Sequence, residues 1–211
     1  MAQYLVVHPD NPQLRLIRRA AAIVQSGGVI AYPTDSCYAL GCRIGDKEAA
    51  QRMRTIRGLP EEHHLTLVCA NLAQVAQYAR VDDRHFRTMK HVTPGSYVFI
   101  LAATKEVPRR VQHPRRKTIG VRLPDHEVVK ALIDELREPL LSTTLLLEGD
   151  DFPLNDADEI RARLDRRIDL VLDAGPCGLE PSTVVDLTGD LPVVVRKGKG
   201  STTGQGWVES E

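Results

Sequence analysis

Hydroxyl and guanidinium side chains stand where predicted strands end, beside glycine or proline. They are Thr34 and Ser36, Thr118 and Arg122, Ser142 to Thr144, Ser182 and Thr183, and Arg196. Such groups suit an anionic ligand, because arginine grips phosphate or carboxylate with two parallel hydrogen bonds. If these strand ends meet at one mouth of a sheet, they form an anion site. The alternative is that the hydroxyls bond within the strands and the arginines are only solvated.

The stretch PTDSCYALGC concentrates polar groups in a single turn. Pro33 stops the apolar run before it, and Thr34, Asp35, Ser36 and Tyr38 follow within a few residues. Threonine, aspartate and serine side chains bond readily to nearby backbone in turns. This turn is therefore a candidate wall of the predicted site.

Common nucleotide and hydrolase motifs are missing from the sequence. No GxxxxGK[ST] loop occurs, and GKGST at 198–202 lacks the first glycine of that motif at its required offset. Neither a GxSxG elbow nor an HExxH helix occurs. His63 and His64 have no partner visible in the sequence and are predicted to be surface residues.

Composition sets broad limits on the protein class. The 211 residues fit one large domain or two small ones, and 28 basic residues balance 28 acidic ones, so overall charge gives no argument for nucleic acid. The 4 cysteines are scattered and predicted to be reduced and structural. Because the sequence has neither a spanning apolar stretch nor a signal-like start, we expect a cytoplasmic protein without membrane association.

Local signals predict alternating helices and strands. Asn11 and Pro12 are expected to open a first helix that ends at Gly27, and the strand GVIAYP follows. Asp46 and Gly58 bracket a second helix. Short strands and amphipathic helices then alternate to about residue 200.

This alternation predicts a single α/β domain over residues 1–200 with a mixed, twisted sheet. Residues 201–211 are predicted to be a flexible tail. The alternative for that segment is that Trp207 docks on the body of the domain.

Several segments, taken in order, resemble the YrdC-like family. They are PTDSCYALGC, IRGLP, GVRLP, STTLL, PSTVVD and RKG. HPDNPQ, KEVPRR and KTIG are most similar to the YciO branch of that family. The resemblance covers nearly the whole chain and implies an open twisted mixed sheet with helices around a deep basic cavity.

The resemblance also implies a reaction. Enzymes of the family combine L-threonine, bicarbonate and ATP, which arrives with Mg²⁺, into threonylcarbamoyl-adenylate and pyrophosphate. That product serves the threonylcarbamoylation of adenosine 37 in transfer RNA. No prosthetic group and no protein-bound metal are expected.

Positions that match the family's motifs imply a set of site residues. Those at the family's threonine site are Thr34, Arg122, Ser142 and Ser182. Those at its ATP site are Arg57, Thr118, Thr144 and Arg196. For each of them, the alternative is a structural hydrogen bond in a turn or at a strand end.

The sequence departs from the family at two polar positions. Leu59 stands where the family has arginine, and Leu146 where it has asparagine. A histidine common in the family is also absent, its place falling near Leu67 or Val68. Since leucine cannot donate to phosphate, weak or altered activity is expected.

A basic segment supports a different function. Its cations are Arg109, Arg110, Arg115, Arg116 and Lys117. If they fold over the cavity, they can compensate for the lost polar groups. Otherwise they favour a non-catalytic protein that binds nucleotide, tRNA or double-stranded RNA through phosphate contacts. A purely structural pocket on an inherited fold is a third reading, and the sequence leaves the oligomeric state open.

Overall fold

The computed structural model describes residues 1–210. Within that range the strands are β1 (Gln3–Val6), β2 (Ile30–Tyr32), β3 (Ala39–Arg43), β4 (Thr66–Val68), β5 (Tyr97–Ala102), β6 (Thr118–Arg122), β7 (Leu140–Thr144), β8 (Leu170–Asp173), β9 (Thr183–Asp186), β10 (Val193–Arg196) and β11 (Val208–Glu209). The helices are α1 (Leu14–Gln25), α2 (Lys47–Arg57), α3 (Leu72–Tyr78), α4 (Asp83–Val92), α5 (Glu127–Leu136) and α6 (Ala157–Leu164).

One sheet connects all these strands in the order β1-β8-β2-β3-β7-β4-β6-β5-β9-β10-β11. The sheet contains parallel pairs, such as β4 with β6, and antiparallel pairs, such as β5 with β6. The predicted single α/β domain with a mixed sheet is therefore confirmed.

Two apolar clusters cover the two faces of the sheet. Successive residues of β2 point to opposite faces, so that Ile30 packs with α1 and α5 while Ala31 packs with α2 and α6. The sheet is therefore buried on both sides around β2, whereas the second cluster includes no residue of β5, β6 or β9.

Helix boundaries agree with the local signals at α2 but not at α1. The Asp46 side chain accepts from the Ala49 N–H at 2.9 Å, and Gly58 ends α2 in the left-handed region with φ 63°. The predicted start of the first helix at Asn11 and Pro12 is wrong. The His8 ring Nδ1 accepts from the Asn11 backbone N–H at 3.1 Å, which holds a turn there, and the helix begins at Leu14.

The segment after residue 200 is attached to the sheet in part. Strand β11 pairs in parallel with β10, and the Trp207 ring lies edge-on to Tyr97 with 5.9 Å between ring centroids. Docking of Trp207 is thus observed, while flexibility of the segment in solution stays a prediction. Among the helices of residues 1–210, none has both the length and the apolar character to cross a membrane.

Candidate functional site

The polar turn after β2 is built by the Thr34 hydroxyl. Its Oγ1 accepts from the backbone N–H groups of Ser36 at 3.2 Å and Cys37 at 3.3 Å, and donates to the Cys37 carbonyl at 2.6 Å. These bonds close the turn locally. As a result, the Asp35 and Ser36 side chains are presented toward the end of β6.

Arg122, the last residue of β6, meets this turn. Its Nη2 donates to Asp35 Oδ1 at 2.5 Å and to Ser36 Oγ at 3.0 Å, and it lies 3.4 Å from Thr34 Oγ1. The Arg122 and Asp35 side chains are only 8% and 11% exposed. A pair this buried is costly to break, because the remaining charge loses its partner.

Ser182, immediately before β9, completes this group, with its Oγ 3.4 Å from Ser36 Oγ. We call Thr34, Asp35, Ser36, Arg122 and Ser182 the Arg122 corner. Of the residues predicted for threonine, the structure thus brings Thr34, Arg122 and Ser182 together.

Ser142, also predicted for threonine, is engaged elsewhere. Its Oγ lies 2.6 Å from the Tyr32 hydroxyl and donates to the Leu40 carbonyl at 3.0 Å. These buried bonds match the structural alternative given above, and a ligand role for Ser142 stays a prediction.

Two arginines predicted for ATP, Arg57 and Arg196, lie close enough for the charge of Arg196 to act on Arg57. Burial lowers the pKa of Arg57 to about 10, and the like charge of Arg196 contributes. Arg196 is an exposed residue, but partial loss of solvation around its guanidinium and the like charge of Arg122 lower its pKa. Its Nη2 donates to the Ser182 carbonyl at 2.8 Å. An anion bound near both guanidinium groups would offset the like charge that lowers the pKa of Arg57. We call them the Arg57–Arg196 pair.

A cavity of about 290 Å³ lies beside this pair and includes Arg196 in its lining. Thr144 and His63 also line it, together with Glu62, so the cavity is less uniformly basic than the family resemblance implies. A larger cavity of about 570 Å³ lies between α3, α4 and α5, but its lining is largely apolar and contains none of the predicted arginines.

The histidines at this cavity differ from expectation. His64 is half-buried, and its Nε2 lies 2.7 Å from the Thr118 hydroxyl, so the surface prediction is wrong for this residue. His63 is exposed but lines the cavity. Loss of solvation lowers the pKa of both imidazoles to about 4, with Arg57 contributing at His63 and His113 at His64. Both rings are therefore neutral near pH 7.

Leu59 and Leu146 bring no hydrogen-bonding side chains to this end. Both are half-buried, and Leu59 packs against the main apolar cluster. The sequence indicates that two polar groups of the family are lost, and the structure provides no polar side chain at these two positions.

The basic segment is largely occupied with bonds inside the protein. Arg116 pairs with Asp186 at 2.5 Å, Lys117 donates to the Pro114 carbonyl at 2.6 Å, and Arg110 donates to the Gly45 carbonyl. Arg109 and Arg115 are exposed. Within residues 1–210, the lining of the 290 Å³ cavity includes none of these cations, so they do not replace the lost groups there.

Sequence reasoning placed Asp35 and Ser36 in the wall of the site without a ligand role, and it did not assign His64 to the site. Asp35 and Ser36 were signalled by their place beside Thr34, since one turn presents all three. Nothing in the sequence signalled His64, because its partner Thr118 is 54 residues away.

Comparisons with known proteins identify the family and the fold. The Sua5/YciO/YrdC family model, described as telomere recombination, matches residues 22–198. The chain is 52% identical to the uncharacterized protein YciO of Escherichia coli over 200 residues, covering 95% of this chain and 97% of that protein. The crystal structure of E. coli YciO superimposes with a TM-score of 0.94 over 96% of this chain and 98% of that one.

More distant relatives carry functional names. A threonylcarbamoyl-AMP synthase of Halorhodospira halophila is 32% identical over 170 residues, which is 80% of this chain and 88% of that protein. The crystal structure of P. abyssi Sua5 complexed with L-threonine is 27% identical, with a TM-score of 0.85, covering 92% of this chain and 57% of that chain.

Proposed function

Because the chain belongs to the Sua5/YciO/YrdC family, we propose that it forms threonylcarbamoyl-AMP and pyrophosphate from L-threonine, bicarbonate and ATP. The product is the intermediate for threonylcarbamoylation of adenosine 37 in transfer RNA. The departures at Leu59 and Leu146 make this a weaker synthase than its relatives.

The observation that carries the proposal is a pair of unsatisfied guanidinium nitrogens. Among residues 1–210, the Nε atoms of Arg57 and Arg122 are buried without a hydrogen-bond partner. An unpaired buried donor costs about 1–3 kcal/mol, and the cost is recovered when a ligand accepts from it. One such donor lies at each end of the site, as a two-part anionic substrate requires.

The Arg122 corner suits the amino acid. Arg122 already pairs with Asp35 through Nη2, which leaves Nε to donate to the carboxylate of L-threonine. The hydroxyls of Ser36 and Ser182 lie beside it and can bond the threonine side chain.

The Arg57–Arg196 pair suits the nucleotide phosphates. The threonine amine first becomes a carbamate, whose oxygen attacks the α-phosphorus of ATP, and the bond to pyrophosphate breaks. Arg57 and Arg196 would neutralise the charge on the phosphates during this displacement. Mg²⁺ would enter as part of ATP·Mg, since no cluster of metal-binding side chains was found in the described part of the chain.

The test is an assay of both products. We would incubate the protein with ATP·Mg, bicarbonate and L-threonine, and measure pyrophosphate release and threonylcarbamoyl-AMP by mass spectrometry. Equal amounts of the two products, dependent on threonine, are expected. The Arg122→Met protein, purified in parallel, gives the background. Product no higher than this background would overturn the proposal.

A second candidate is binding of tRNA or double-stranded RNA, favoured by the exposed Arg109 and Arg115. Phosphate contacts of this kind make affinity fall steeply with salt. The Arg109→Ala/Arg115→Ala protein should therefore show a shallower dependence of RNA affinity on salt than the unaltered protein. Equal slopes would exclude a role for these two residues.

A further inference from the structure

His126 has an imidazole that the fold does not use. It is the N-cap residue of α5, and its carbonyl accepts the Lys130 N–H at 3.0 Å, but its side chain makes no capping bond within the described residues. Serine, threonine, aspartate and asparagine are preferred at this position because their side chains cap the helix. Helix formation therefore does not explain the histidine.

The Nδ1 atom of His126 is buried and has no hydrogen-bond partner among residues 1–210. The same condition holds for Arg122 Nε, at the end of the strand that leads into α5. Buried polar atoms are rarely left unpaired in folded proteins. Two unpaired atoms, one an obligate donor and the other a possible acceptor, indicate a common ligand.

Backbone contacts hold His126 close to the Arg122 corner. The Gly95 N–H donates to the Leu123 carbonyl at 2.8 Å, and Ser96 Oγ donates to Asp35 Oδ2 at 2.8 Å. One loop thus ties the β6–α5 connection to the polar turn. Burial lowers the pKa of His126, while Asp35, Glu127 and Asp10 oppose this and Arg122 adds to it. The charges of Asp35 and Arg122 therefore act directly on the ring.

We propose that His126 Nδ1 accepts a hydrogen bond from the amino group of the amino acid bound at the Arg122 corner, while Arg122 Nε donates to its carboxylate. This inference rests on the proposed function and extends it to substrate selection. The site then selects a free primary α-amine, and a hydroxy acid with the same carboxylate lacks one of the two contacts.

An uncharged acceptor suits the reaction better than a carboxylate. Before it forms a carbamate, the amine must lose its ammonium proton, and an anionic partner would favour the unreactive ammonium form. Asp35 is already bonded to Arg122 and Ser96. The neutral imidazole of His126 can accept from the amine and favours its protonated form less than a carboxylate would.

The experiment compares two ligands on matched variants. By calorimetry we would measure the Kd of L-threonine and of 3-hydroxybutyrate, which keeps the carboxylate and hydroxyl but lacks the amine. In His126→Phe, we expect the Kd of L-threonine to rise about 5–10-fold and that of 3-hydroxybutyrate to stay unchanged. The Kd of ATP·Mg, measured on the same proteins, should also be unchanged.

Two conservative variants separate substrate contact from a structural role. The amide of asparagine reaches the position of histidine Nδ1, whereas that of glutamine reaches the position of Nε2. His126→Asn should restore threonine affinity more than His126→Gln does, and asparagine also caps the helix, so the variant should fold. This comparison holds even if His126→Phe does not fold.

The outcomes distinguish the two proposals. Two results would overturn the role of His126 alone. One is an equal loss of affinity for both ligands in His126→Phe. The other is unchanged affinity for L-threonine in His126→Phe, together with equal affinities in the asparagine and glutamine variants. If the unaltered protein does not bind L-threonine at all, the proposed function fails and this inference fails with it.

Discussion

The Arg122 corner and the Arg57–Arg196 pair use the same side chain in opposite electrostatic settings. At the corner, the Arg122 guanidinium lies 2.5 Å from a carboxylate, and both side chains are nearly buried. At the pair, the charge of Arg196 helps to lower the pKa of Arg57, and within residues 1–210 neither guanidinium forms an ion pair with a carboxylate. The corner is neutralised before any ligand arrives, whereas the pair depends on a ligand for its counter-charge.

Because of this difference, the two groups of residues should contribute unequally to the stability of the fold and to ligand binding. The corner lies between buried strand ends, so its polar groups contribute to folding as well as to any amino-acid site. At the pair, Arg196 is exposed, and Leu59, one of the two departures from the family, lies two residues after Arg57. Under the proposed function, the nucleotide end therefore departs further from the family than the amino-acid end does.

Removing the Arg122 charge should have the largest effect. Arg122→Met leaves Asp35 nearly buried without a partner, so we expect the free energy of unfolding to fall by about 3–5 kcal/mol in urea denaturation. The double variant Arg122→Met/Asp35→Leu should recover much of this loss, because no charge remains unpaired. A double variant as unstable as the single one would show that the ion pair is not the cause.

Removing Arg57 should weaken nucleotide binding but should not lower the stability of the fold. Arg57→Met deletes an unpaired buried donor and a repulsion with Arg196, so the free energy of unfolding should stay constant or rise by up to about 1 kcal/mol. The affinity for ATP·Mg, measured by calorimetry, should fall about 10–100-fold. A loss of stability as large as that of Arg122→Met would remove the distinction between the two ends.

The neutral histidines at the 290 Å³ cavity predict a pH dependence. The folded pKa of His64 is about 4, below the unfolded value near 6.5, so the unfolded state binds more protons between these limits and stability falls as pH is lowered through them. Between about pH 7 and pH 5, we expect His64 to lower the free energy of unfolding by about 1–2 kcal/mol, measured by urea denaturation at each pH.

The matched variant for this prediction is His64→Gln. Glutamine keeps a hydrogen-bonding partner for Thr118 but does not titrate, so the loss of stability on acidification should be smaller. An identical pH profile would assign the acid sensitivity to other groups, with His63 the first to test.

Restoring a polar group at Leu146 should have the smallest effect. Leu146→Asn should strengthen ATP·Mg binding about 3–10-fold if the side chain reaches the nucleotide, since one hydrogen bond contributes about 0.5–1.5 kcal/mol. Leu146→Ala, which removes bulk without adding a donor, is the control. Equal affinities in the two variants would mean that the leucine does not limit nucleotide binding.

The features predicted correctly from the sequence are those set by neighbouring residues. Asp46 and Gly58 bracket α2 because caps satisfy backbone groups within one turn of the helix. The turn after Pro33 forms because the Thr34 hydroxyl bonds to backbone two and three residues on. Alternating apolar residues set the two faces of the strands, and ordered short segments identified the family.

Other features depended on which strands became neighbours. Arg122 and Asp35 are 87 residues apart, and Ser142 and Tyr32 are 110 apart, so no local pattern could show that the first pair forms an ion pair or that the second bonds within the sheet. Even the start of α1 was decided by His8, which holds a turn where a helix was predicted. The sequence by itself determined which groups could bind an anion, because side-chain chemistry and local caps are properties of short segments. Only the tertiary structure decided which of them face a ligand, because the strand order sets which polar atoms are satisfied inside the protein and which remain unpaired.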